Sequence, residues 1–147
     1  MTDVRAIVLF AALIILVGCN DKKIFTDPAC SVDIVNDSVD SVVAMKGNGL
    51  LKVVGWAADN LSKQAPDTIT VNLVSPSGVV SKLVEGKPTV PRPDVTAVLK
   101  APSIGDVGFD LSGKLESLAP GTYQIQLLQD FPDRILVCKS AKTIRVD

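Results

Sequence analysis

The chain has 147 residues, of which 15 are Lys or Arg and 16 are Asp or Glu, with no His and a formal net charge of -1. Its basic residues are scattered, which argues against a nucleic-acid footprint. Without His or a Gly-x-Ser-x-Gly sequence it is poor in nucleophiles and general bases, and with aromatic residues at 4% it is poor in sugar-stacking surface.

The first feature along the chain is an apolar run over residues 6–17, preceded by Arg5 and ending in Leu16-Val17-Gly18-Cys19. A membrane-spanning helix needs about 20 apolar residues and the apolar part of an export signal only about 7 to 15, so the run has the length of a signal. The run with its Leu-Val-Gly-Cys ending resembles the lipobox of bacterial lipoproteins. That resemblance implies a diacylglycerol thioether on Cys19, removal of residues 1–18 and, often, acylation of the new amine. In Gram-negative members an Asp after the lipidated Cys retains the protein at the inner membrane. Asn20 stands there instead, which favours the outer membrane.

Residues 19–29 are expected to form a lipidated tether. They are polar, and Pro28 disfavours helix at Asp27. Residues 30–147 then suit one domain with an adequate core. With Cys19 assigned to lipid, Cys30 and Cys138 remain as an even pair in a compartment that permits disulfides, and they are expected to be bridged, with two buried free thiols as the alternative. Nothing in the Cys spacing suggests a metal.

From Cys30 onward the apolar period is two, as in strands. Cys30, Val32 and Ile34 share a face, and residues 42–45 and 50–58 flank Gly47-Asn48-Gly49, which reads as a hairpin turn. The second of these strands is apolar on both faces and belongs in the middle of a sheet. Asp33, Asn36, Asp37 and Asp40 read as a solvated turn in preference to a calcium loop. Residues 68–74 and 79–85 form a second hairpin around Ser75-Pro76-Ser77-Gly78. Three prolines in residues 86–93 exclude a regular ladder there. Pro93 and Asp94 then open a short helix, a crossover between sheets.

Later strands are expected around Phe109 and Leu111, from Tyr123 onward, and over residues 135–139 and 143–146. Leu118-Ala119-Pro120-Gly121-Thr122-Tyr123 resembles the tyrosine corner of immunoglobulin-like and fibronectin-like sandwiches. About eight short strands with one helix make an all-β protein, an immunoglobulin-like antiparallel β-sandwich. A second resemblance rests on Gly55-Trp56-Ala57-Ala58-Asp59, Arg92-Pro93-Asp94-Val95 and Gly108-Phe109. It is to Ig-like modules of bacterial secreted and envelope proteins, and it implies an accessory or binding domain.

Within that pattern Trp56 reads as a core indole beneath the opposite sheet, with a sugar-stacking platform as the alternative. Asp59, Arg92 and Asp94 form either a buried ion pair or ordinary loop charges. The functional expectation is a membrane-anchored envelope lipoprotein that binds another envelope protein or serves a structural role. It is not expected to be an enzyme or to need a cofactor. A surface inhibitor or phage superinfection-exclusion lipoprotein is the second reading. The loops at residues 59–67 and 86–93 are the expected recognition elements.

Overall fold

A computed structural model describes residues 21–147. The apolar run, the Leu-Val-Gly-Cys sequence and the expected lipidation position, Cys19, lie outside the described residues. Nine strands and one helix follow in order: β1 (Lys23–Thr26), β2 (Cys30–Val35), β3 (Val42–Met45), β4 (Leu50–Ala57), β5 (Thr68–Val74), β6 (Val80–Gly86), α1 (Pro93–Val98), β7 (Gly108–Lys114), β8 (Gly121–Asp130) and β9 (Arg134–Val146).

The larger sheet runs β1-β9-β8-β5-β6, with β3 also paired to β9, and the smaller runs β2-β4-β7. The alternation that made these segments strands decides which side chains lie between the sheets. In β4, Leu51, Val53, Gly55 and Ala57 are buried while Lys52, Val54 and Trp56 are half-buried on the other face. In β8 the inward set is Tyr123, Ile125, Leu127 and Gln129. The apolar residues of these two sets join Ile69, Val71, Leu73, Phe109 and Ile144 in one continuous core. Each large apolar side chain buried there contributes about 1.5 to 3 kcal/mol. An exposed pair such as Lys82–Glu85 is screened by solvent and contributes little, so the inter-sheet core dominates stability.

The fold is therefore the expected immunoglobulin-like sandwich, antiparallel except where β1 and β3 pair in parallel with β9. The Tyr123 hydroxyl donates to the Ala119 carbonyl at 2.8 Å, which completes the tyrosine corner. Cys30 and Cys138 are bridged, with Cα atoms 6.3 Å apart, and the bond ties β2 of the smaller sheet to β9 of the larger. The helix α1 starts at Pro93 and carries Asp94 in its first turn, and it takes the chain from β6 in one sheet to β7 in the other.

Three expectations change. Residues 23–26, read as part of a free tether, form β1 in register with residues 134–137 of β9. Residues 42–45 and 50–58 are not a hairpin. The chain does reverse there, with the Gly49 N–H on the Lys46 carbonyl at 3.1 Å, but β3 joins β9 while β4 joins β2 and β7. A turn signal reports a reversal and is blind to the partner. Residues 135–139 and 143–146 are one strand, β9, whose register against β8 shifts between Gln124 and Gln126.

The sandwich has two poles. At one, the Asp67 N–H donates to the Asp130 carbonyl, and the Phe131 N–H to the Arg134 carbonyl beside the start of β1. The loops at residues 59–67 and 131–133 and the crossover containing α1 meet there. At the other pole the Leu115 and Leu118 N–H groups bond the Gly49 and Gly47 carbonyls.

Candidate binding surface around the crossover helix

Trp56 pairs with Ser31 on β2 and with Gly108 on β7, on the outer face of the smaller sheet. It lies under α1, against the small cluster formed by Ala58, Val95, Leu99, Ala101 and Val107. The expectation of an indole beneath the opposite sheet is thus corrected. The cause is next to it, at Gly55. A Cβ there would overlap the Ser31 carbonyl oxygen and come within 2.9 Å of the Phe109 ring, so the backbone fills the inward position and the indole faces out.

Arg92 precedes α1, with its aliphatic stem over Gly108, where an added Cβ would lie 2.9 Å from the Arg92 Cγ. Its guanidinium donates twice to Asp94, from Nε at 2.9 Å and Nη2 at 2.7 Å, and from Nη1 to Asp33 at 2.7 Å. Asp33 also accepts from the Ser31 hydroxyl at 2.7 Å. The paired hydrogen bonds from Arg92 hold the Asp94 carboxyl down at about 2, and the bonds to Asp94, with those to Asp33, raise the guanidinium further above its ordinary value. Arg92 and Asp94 thus stay ionised at every physiological pH, and with Asp33 the cluster acts as a clamp on α1.

The expected three-way association of Asp59, Arg92 and Asp94 is only half present. Asp59 belongs to a different cluster, where its carboxylate accepts from Arg134, from the Ser62 hydroxyl at 2.8 Å and from the Leu61 N–H at 2.8 Å. Burial pushes the Asp59 carboxyl up, but the hydrogen bonds from Ser62, Leu61 and Arg134 outweigh it and hold the group below its usual value. Arg134 also stacks over Phe131, 4.5 Å from the ring centre. Burial lowers its pKa, and the pairing with Asp59 and Asp133 more than reverses that.

The acidic stretch is split as well. Asp33 serves Arg92, the Asn36 side-chain oxygen accepts the Lys52 N–H at 2.8 Å, and Asp40 accepts the Ser38 hydroxyl at 3.0 Å. Among the described residues no group of three or more His, Cys, Asp or Glu is placed to hold a metal. Asp33 and Arg134 are the partners that sequence reasoning missed. Asp33 had a readable signal, as a charge on the outward phase of β2.

Between α1 and β4 lies an open groove of about 250 Å³ lined by Trp56, Arg92, Asp94, Val95, Val98 and Leu99. Its floor is apolar and its rim is the Arg92–Asp94 pair. Val98 stands beside it 82% exposed. The arrangement can receive an apolar side chain with a polar neighbour, the usual form of a small contact patch.

No protein-family model matches this chain, and no curated protein matches it. One solved structure of similar shape is an AA10 lytic polysaccharide monooxygenase (LPMO) from Streptomyces lividans, 11% identical, with a TM-score of 0.44. The likeness covers 75% of this chain, which spans 62% of that one. That neighbour is named as an enzyme; the expectation that this chain is not an enzyme is corrected because it rested only on groups the chain lacks. The missing His and serine motif, and the pairing of Cys30 with Cys138, exclude particular catalytic groups and do not exclude catalysis. At such identity no substrate or chemistry passes from that protein to this one.

Proposed function

We propose that the chain is an envelope lipoprotein, exported and lipidated on Cys19, whose sandwich serves as a binding module for another envelope protein through the groove above Trp56. The carrying observation is that groove: an apolar floor, an exposed Val98 and a rim already locked in place. Because Arg92 is held by two carboxylates, little side-chain freedom is lost when a partner closes over it. The Leu16-Val17-Gly18-Cys19 sequence supports the anchor, and Asn20 supports the outer membrane over the inner.

Cross-linking in intact cells, followed by capture of the full chain, tests this reading. Wild type should recover a specific envelope protein, and Val98→Asp should lose at least roughly tenfold of it, since a charge forced into an apolar contact costs more than about 1.4 kcal/mol. Equal recovery with both proteins would contradict the assigned surface.

A further inference from the structure

The pairing of β1 with β9 changes what the anchor does to the domain. Lys23 is in register with Arg134, and Lys22 is tied to Asp130 at 2.6 Å, so the chain is fixed to the sheet almost from the first described residue. Four residue steps separate Cys19 from Lys23, a reach of at most about 14 Å. By contrast β9 is 13 residues long, and a strand of that length spans about 40 Å. An anchor so short holds the pole at the start of β1 close to the bilayer and leaves the far pole projecting away.

Besides Val98 beside the groove, that near pole exposes three large apolar side chains. Ile24 and Phe25 on β1 are 68% and 49% exposed, and Leu61 is 88% exposed. Leu61 lies between Asp59 and Ser62, both bonded to the same Arg134 that pairs with Lys23. Single exposed apolar residues are ordinary on a protein surface. Three at the pole to which a lipid-bearing residue is leashed are placed where a second attachment adds to the first.

We infer that this pole is a membrane-contact surface, with Ile24, Phe25 and Leu61 seated at the boundary between lipid head groups and acyl chains. The inference rests on the proposed lipidation of Cys19. Insertion is shallow, because the outer edge of β1 has unpaired backbone groups that require water or head-group partners. The groove above Trp56 then opens sideways, along the bilayer surface, toward a membrane-bound neighbour.

The test uses the full chain purified from envelopes and placed in phosphatidylethanolamine and phosphatidylglycerol vesicles, with or without brominated acyl chains as quencher. Three variants, Phe25→Trp, Leu61→Trp and Val79→Trp, each add one fluorophore to the single native Trp56, whose emission is subtracted. The first two should lose roughly half or more of the added emission in brominated vesicles, and the third, at the far pole, should lose almost none. Unquenched emission at the first two positions, or equal quenching at the third, overturns the inference. The mass of the N-terminal peptide is measured on the same samples. An acyl adduct on Cys19 with unquenched emission rejects the contact surface alone, whereas absence of the adduct rejects the anchor and the contact surface together.

Discussion

Replacing Cys30 and Cys138 together with alanine is expected to lower the stability of the domain by about 4 to 5 kcal/mol, on the chain-entropy account of closing a loop of this size. The bridge joins positions 108 residues apart and therefore constrains nearly the whole described chain when it is unfolded. It also has a local role. Strand β2 pairs only with β4, at the edge of the smaller sheet, and the bond is what fastens that edge to β9 in the larger sheet. A urea titration of the oxidised wild type against the double alanine variant measures the difference. The strand signature in circular dichroism should persist, since Leu51, Val53, Phe109, Ile125 and Leu127, which fill the core between the sheets, are unchanged. A difference below about 1 kcal/mol would show that the chain-entropy account fails for this loop.

The second large effect is expected at Asp59. It is only 4% exposed and is the main partner of Arg134, whose other carboxylate, Asp133, lies in solvent. Asp59→Ala leaves a mostly buried guanidinium without its inner counter-ion, and breaking a buried pair costs about 3 to 5 kcal/mol. The part of Arg134 that remains wet and its contact with Asp133 reduce this to about 2 to 4 kcal/mol. The sign of the pH dependence follows from the lowered folded-state pKa of Asp59. Its contribution is complete above the unfolded value, about 3.9, and disappears as pH falls through the folded value. Wild type and Asp59→Ala should therefore differ fully at pH 7 and converge in acid, as read by thermal or urea unfolding across that range. A gap that stays constant down to pH 2 would exclude the ion pair as its source.

The strands and the helix were legible because burial is local in sequence terms. Ile69, Val71 and Leu73 announce one buried face, and Pro93 with Asp94 announces a helix start. Pairing was less legible. The turn at Gly47-Asn48-Gly49 looks like a hairpin whether the next strand returns to its neighbour or leaves for the other sheet. In β4 both faces are apolar, so period two alone does not say whether Trp56 points in or out. The close approach of the Ser31 backbone to Gly55 decides it, and nothing local to residue 55 encodes that approach. The partner of Asp59 lies 75 residues away at Arg134, and charge identity does not rank Arg134 above Arg92. The four residues of β1 carry a signal too short to separate a strand from a linker, although their docking sets how far the proposed anchor would let the domain move.

The account as a whole turns on Cys19, and metabolic labelling with a fatty acid in cells expressing the full chain tests it most directly. Wild type should carry label on an N-terminal peptide that begins at Cys19, and Cys19→Ser should carry none and keep residues 1–18. Label retained by the serine variant, or wild type recovered unlabelled with residues 1–18 attached, would contradict the lipoprotein reading.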